Sequence, residues 1–134
     1  MQWSAEANGG FSDHEPWLAA NSNYKEINAA AELNDDHSVF AFYKELIRLR
    51  HTLDVITDGR YEQVSGTEQN ESVYAYTRTN AQQSLLVVAN YTDQIIQTEV
   101  KPDSNSNLLI SNYDDDRGSE LRPFEAKVYS SIIG

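Results

Sequence analysis

The chain has 134 residues, enough for one domain with its own core plus an attached element, and too few for two full domains. Its net charge of −11 comes with no Lys/Arg cluster that could face a polyanion, so neither a nucleic acid nor a membrane surface is an expected partner. The absence of cysteine excludes disulfides and thiol chemistry, and no apolar run reaches the ~20 residues of a membrane span. No secretory signal pattern opens the sequence, so a cytoplasmic location is expected.

Residues 1–33 show no sustained period of 2 or 3.6 and read as a long irregular loop. Trp3, Phe11, Trp17 and Tyr24 are interleaved there with Gly9, Gly10, Pro16 and several Asn and Ser residues. A long loop is functional or a linker, and linkers seldom carry two tryptophans, so this one is expected to pack against something. Two readings stand: the aromatics border a carbohydrate site, where flat rings meet sugar rings, or they anchor the loop on a larger body.

From about residue 36 to 52 the spacing predicts one amphipathic helix. Val39, Phe42, Tyr43, Leu46, Ile47 and Leu53 recur at three-and-four spacing, and Phe40 and Leu49 widen the stripe. Asn34, Asp35 and Asp36 offer acceptors and negative charge for the first turn, while Arg48, Arg50 and His51 suit the C-terminal end. Arg50 falls in the middle of the apolar face, which points to a buried, paired cation. The alternative has the last turn projecting beyond the core. So wide a stripe needs more than one neighbour, and a chain that leaves it bare is expected to self-associate or fold residues 1–33 over it.

Beyond Arg60 the period changes to two. Strands are predicted at Tyr61–Ser65, Ser72–Thr79, Ser84–Tyr91, Ile95–Val100, Leu108–Ser111 and Lys127–Ile132, separated by polar turns such as Gly66-Thr67-Glu68-Gln69-Asn70. Short consecutive strands imply antiparallel pairing, hence a mainly β, antiparallel Greek-key sandwich. Leu85-Leu86-Val87-Val88-Ala89 is apolar on both faces and should be central, with a layer on each side, whereas Gln94 to Val100 alternates and suits an edge.

The chemistry-bearing residues form no recognisable catalytic set. His14, His37 and His51 lack metal-ligand spacing, and no metal or other cofactor is expected. Asn112, Asp114 and Asp116 open like a calcium loop, but Arg117 and Pro123 stand where such a loop needs glycine and glutamate, leaving a solvated acidic turn. Asn70-Glu71-Ser72 and Asn90-Tyr91-Thr92 match the glycosylation sequon, a pattern common by chance.

Several stretches taken in order carry a family resemblance. They are Met1-Gln2-Trp3, Gly10-Phe11-Ser12, Pro16-Trp17-Leu18, Asn23-Tyr24-Lys25-Glu26-Ile27-Asn28, Leu46-Ile47-Arg48-Leu49-Arg50 and Leu121-Arg122-Pro123-Phe124-Glu125-Ala126-Lys127-Val128-Tyr129. Together they resemble the C-terminal end of an α-amylase-family (glycoside hydrolase family 13) α-glucosidase, of the oligo-1,6-glucosidase, dextran glucosidase and trehalose-6-phosphate hydrolase group. The resemblance implies that residues 1–58 end a β/α-barrel catalytic domain, with the loop after strand eight at 1–33 and the last barrel helix at about 36–52. Residues 59–134 would then be the C-terminal antiparallel β-domain.

The same resemblance implies that the catalytic carboxylates lie on earlier barrel strands and that none is in this chain, which is expected to be a structural, non-catalytic fragment. Its partners would be the rest of the barrel and, in the intact enzyme, an oligosaccharide. Gln2, Trp3 and Phe11 match positions of the substrate-proximal loop. The family more often shows aspartate where Ser4 stands and alanine at Gly9. Asp54-Val55-Ile56-Thr57-Asp58-Gly59 looks like the phosphotrehalose hydrolases, and the rest looks equally like the α-1,6-glucosidases. The competing class is an autonomous carbohydrate-binding β-sandwich module.

Overall fold

In the computed structural model, which describes residues 1–133, the chain forms two compact units, Met1–Leu49 and the segment from Arg50 onward. The first unit is mostly loop, but its end is more helical than the sequence pattern indicates. Ala29–Leu33 forms α1, an alanine-rich turn and a half that is too short to show a period. Asn28 caps it, its side chain accepting from the Ala31 amide at 3.0 Å and donating to the Tyr24 carbonyl at 2.9 Å.

Helix α2 runs Val39–Thr52 and so begins three residues later than the acidic cluster suggests. Ser38 is the true cap, accepting from the Ala41 amide at 3.1 Å, and the Glu32 carboxylate accepts from the Phe40 amide at 3.0 Å. Asp35 instead closes a local turn by accepting from the His37 amide. The apolar stripe of α2 is bare: Val39, Phe40, Tyr43, Leu46 and Ile47 are 37–66% exposed. Arg50 is exposed as well, which corrects its expected burial. The buried side of α2 is marked by Leu49, about 100° around the helix from Arg50. Trp17 is 95% exposed, and Trp3 and Phe11 are exposed too, so these three rings do not pack the loop down, whereas Tyr24 is half-buried.

The second unit opens with α3, Val55–Asp58, a single turn ended by Gly59. A Cβ at Gly59 would collide with the Val55 carbonyl and come within 3.1 Å of the Thr79 amide, so the tight exit admits only glycine without movement. The strands follow as β1 Arg60–Gln63, β2 Val73–Thr79, β3 Gln83–Asn90, β4 Ile96–Gln97, β5 Asn107–Ser111, β6 Glu120–Leu121 and β7 Ala126–Ile132. An antiparallel five-stranded sheet is ordered β1-β2-β3-β7-β5, and β4 pairs with β6 in a second, two-stranded sheet. β7 enters between β3 and β5, giving the expected antiparallel crossover topology with β3 central.

The register sorts the side chains by face. Ala75 opposes Val88 and Thr77 opposes Leu86, putting Val73, Ala75, Leu86 and Val88 on one face of the large sheet. Leu121 of β6 completes that buried cluster, with Ile96, Val100 and Val64 packed against it. The predicted strand at Ile95–Val100 thus shrinks to two residues in the covering layer, and β6, two residues long, was not anticipated. Among the described residues no helix is long and apolar enough to cross a membrane.

Candidate functional site

The N-terminal loop places two of the three sequence-selected residues together. The Trp3 amide donates to the Gly9 carbonyl at 2.8 Å, while the carbonyls of Gln2 and Trp3 accept from the Ala29 and Ala30 amides at 2.9 and 3.0 Å. These bonds tie the chain start to α1. The Gln2 side chain gives both N–H groups away, to the Asn23 side-chain oxygen and the Ile27 carbonyl, each at 2.9 Å. Trp3 keeps half of its ring in solvent.

Gln2 and Trp3 line one end of an open groove of about 520 Å³ whose other wall is Leu33, Val39, Phe40 and Tyr43. Phe11 does not line it. The tight reversal beside Trp3 depends on Gly10, which sits at φ +71° with Ser4 where its Cβ would be. The groove is apolar, and within Met1–Leu49 the only buried apolar side chain described is Leu49. As it stands the groove has shape and aromatic surface but no carboxylate pair for acid–base chemistry.

In the β-unit, polar chemistry is concentrated in a network that sequence reading missed. Glu125 and Lys127 are fully buried and Arg122 nearly so. Arg122 donates to Glu125 through Nε (3.0 Å) and Nη2 (2.9 Å), and Lys127 Nζ lies 3.3 Å from the same carboxylate. Nη1 of Arg122 donates to Asp115, and its guanidinium lies 4.0 Å from the centre of the Tyr113 ring. Lys127 Nζ and the Tyr129 hydroxyl both donate to Asp116 at 2.9 Å.

The acidic stretch Asp114-Asp115-Asp116 is therefore not a merely solvated turn: Asp115 and Asp116 are strapped to cations on the strand side. Burial works to raise Glu125, yet the hydrogen bonds from Arg122 together with the charge and hydrogen bond of Lys127 outweigh it and hold the carboxyl below its ordinary value. Asp116 is likewise held low against its own desolvation, chiefly by Lys127. Asp115 is lowered by its hydrogen bond from Arg122. Burial and then the Asp116 carboxylate push the Tyr129 hydroxyl up. Such an array fixes a loop; it offers no proton donor poised near neutrality. Alternating Ala126-Lys127-Val128-Tyr129 reads as a half-exposed strand, and only partners seven to eleven residues earlier reveal that its polar face is inside.

Asn90 is structural too. It is buried, its amide donating to the carbonyls of Gln94 at 2.8 Å and Arg122 at 2.9 Å, which removes it as a glycan acceptor.

An antiparallel β-domain joined to a helix and an aromatic loop with almost no apolar core of their own is the class of structure defined here. A family model described as "Alpha amylase, catalytic domain" matches residues 1–59. The chain is 45% identical over 130 residues to the oligo-1,6-glucosidase of Heyndrickxia coagulans, covering 96% of this chain and 23% of that protein. It is 36% identical to the trehalose-6-phosphate hydrolase of Bacillus subtilis, covering 96% of this chain and 24% of that one. The solved structure of Bacillus licheniformis trehalose-6-phosphate hydrolase matches with a TM-score of 0.87 and 36% identity, over 96% of this chain and 24% of that chain. Its first 59 residues thus match the α-amylase catalytic-domain model, and the chain as a whole is similar to the C-terminal part of α-glucosidases of glycoside hydrolase family 13. It spans about a quarter of the length of the curated relatives it matches.

Proposed function

We propose that this chain is the C-terminal portion of a retaining, exo-acting α-glucosidase of the oligo-1,6-glucosidase type that acts on short oligosaccharides in the cytoplasm. The observation that carries the reading is the 45% identity to an oligo-1,6-glucosidase maintained across 96% of the chain. In that enzyme residues 1–58 would close the barrel, with Gln2, Trp3 and Phe11 on the loop bordering the active-site mouth, as strand-to-helix loops do in such barrels. Residues 59–134 would be the appended β-domain, stabilising the barrel without contributing a catalytic group. The bare face of α2 and the apolar groove beside Trp3 support this, since both need cover that the chain does not itself provide.

A trehalose-6-phosphate hydrolase is the second reading, favoured by the 0.87 TM-score to one such enzyme. The test of both is to express the protein encoded by the continuous reading frame upstream of Met1 together with this chain. Turnover of isomaltose over trehalose-6-phosphate supports the first, the reverse preference supports the second, and an upstream frame without barrel strands sinks both.

A further inference from the structure

The inner face of the large sheet changes chemistry along its length. At one end Val73, Ala75 and Val88 pack with Leu121 of β6 into the apolar cluster. Toward the other end the register brings hydroxyls to that same face: Thr77 opposes Leu86, Thr79 opposes Ser84, and Ser84 opposes Ser131. The β4–β6 layer gives out before this end, and the loop that follows β4 stands over it instead. Between sheet and loop lies a cleft of about 280 Å³, floored by Thr77, Ser84, Leu86 and Ser131 and walled by Glu99, Val100, Lys101, Asp103 and Ser106.

This floor differs from ordinary polar surface. Ser131 is only 8% exposed, yet its hydroxyl makes no hydrogen bond among the described residues. Buried hydroxyls are normally paired, so one that faces a cleft unpaired marks a place where a partner from outside would be held. Thr77 has only a long bond of 3.4 Å, to the Glu62 carbonyl, and Ser84 shares its hydroxyl with Thr79 at 2.9 Å. Ser106, on the facing wall, has no side-chain partner among the described residues either. Beside these hydroxyls Leu86 and Val100 add half-buried aliphatic surface.

The lining selects among ligands. Glu99 and Asp103 outnumber Lys101, so an anion is repelled. Among the described residues no three carboxylate or imidazole groups converge, so a metal ion lacks its ligands. A purely aliphatic molecule would leave Ser131 unpaired. We propose that the cleft binds one small neutral polyol, a monosaccharide or glycerol. Its hydroxyls pair with Ser131, Ser84 and Ser106, its C–H surface lies on Leu86 and Val100, and the two carboxylates of the rim accept from its outer hydroxyls. The volume falls just below the ~300–1,000 Å³ of sites for larger ligands, which fits a single sugar ring. All of the lining belongs to the β-unit, so the inference goes beyond the α-glucosidase reading and does not depend on it.

Equilibrium dialysis of the 134-residue chain against labelled glucose and labelled glycerol tests the site, with glucose 6-phosphate as the charged counterpart. The expected result is saturable binding of one polyol per chain in the millimolar range, slower amide hydrogen exchange in β3 and β7 when it is bound, and no matching uptake of glucose 6-phosphate. Ser131→Ala removes a hydroxyl that the fold does not use, so it should keep the parent's thermal midpoint and weaken binding about fivefold, the worth of one neutral hydrogen bond. Ser106→Ala should do the same from the facing wall. Preference for glucose names a sugar as the occupant and preference for glycerol names a short polyol, and either upholds the site. Absence of saturation by both polyols overturns the proposal. So does binding that both variants leave unchanged, exchange protection confined to segments outside β3 and β7, or glucose 6-phosphate held as tightly as glucose.

Discussion

Arg122 and Glu125, three residues apart across the turn that enters β7, meet in a two-point ion pair of 3.0 and 2.9 Å with Glu125 wholly buried. Glu125 is also the point where the two buried cations converge, because Lys127 lies 3.3 Å from it. Glu125→Gln should therefore leave both cations short of charge. Breaking a buried pair from one side costs about 3–5 kcal/mol, and the low end applies here because Asp115 and Asp116 remain. A fall of roughly 10 °C in the thermal midpoint is expected. A midpoint within 2 °C of the parent, taking ~2 °C as the error of such a scan, would show the pair to be idle.

Lys127→Met makes a different demand on the same network. The lysine stem is packed and apolar, and methionine replaces most of it. Its loss leaves Glu125 still held by Arg122, and leaves Asp116 with the Tyr129 hydroxyl and the Gly118 amide at 2.9 Å. This substitution should cost about half as much as Glu125→Gln, because no buried charge is stranded. Denaturant midpoints that rank the two the other way round would contradict the assigned geometry.

The pH dependence follows from the directions of the shifts. Asp115, Asp116 and Glu125 are lowered from ordinary values of 3.8, 3.8 and 4.5. The unfolded chain thus binds more protons in acid, so their stabilisation is full above those values and disappears as pH falls through the lower folded ones. Tyr129 is raised above its ordinary 10, so its contribution is present below pH 10 and lost as pH rises through the folded value. Unfolding midpoints between pH 2 and 11 (a span of about nine units chosen to bracket both arms) should fall at each end, and Asp116→Asn should flatten both arms. Unaltered acid and alkaline limbs in that variant would remove Asp116 from the linkage.

Gly59→Ala tests the exit from α3. Gly59 has φ −62°, which alanine adopts freely, so any loss must be steric. With the Val55 carbonyl in the way and the Thr79 amide 3.1 Å off, overpacking should cost about 1–3 kcal/mol. A neutral or stabilising result in urea would mean that α3 moves aside easily.

What could be read in advance depended on how local each cause is. Leu85 to Ala89 announced a central strand because burial on both faces is written in five consecutive residues. Lys127 did not announce its burial, because Asp116 and the carbonyls that hold it come from another element. The start of α2 went to the wrong acceptors, since Asn34, Asp35 and Asp36 look as good as Ser38 until the Ser38–Ala41 bond is seen. Arg50 was placed on the apolar stripe correctly, but the stripe itself is bare. Gln2 and Trp3 stand out through family likeness, not through any local chemical signature, and the groove they line needs Val39, Phe40 and Tyr43 returning from α2.

The bare stripe gives a prediction of its own. Alone in solution, a chain exposing Val39, Phe40 and Tyr43 in the groove wall and Ile47 one turn further along α2 should self-associate. Sedimentation velocity should show a concentration-dependent average mass that Phe40→Glu and Ile47→Glu together reduce. A single monomeric species at all concentrations would show the patch to be tolerated in water.

The last prediction concerns catalysis by this chain on its own, which should be nil. A retaining glycosidase needs two carboxyl groups about 5–5.5 Å apart, one of them a proton donor whose pKa is raised toward neutrality. Among the described residues, the four carboxylates whose titration is displaced, Glu45, Asp115, Asp116 and Glu125, are all displaced downward. Glu125, the one wholly buried, spends both oxygens on Arg122 and Lys127. The groove beside Trp3 is lined by one carboxylate, Glu32, whose Oε2 accepts from the Phe40 amide. A nucleophile and an acid cannot both be drawn from that wall. Assays of the purified chain with an aryl α-glucoside, isomaltose and trehalose-6-phosphate should give background rates. Turnover that persists through repurification and is abolished by Glu32→Gln or Glu125→Gln in a variant that still folds would restore an autonomous enzyme and remove the reading of this chain as a non-catalytic part of a larger one.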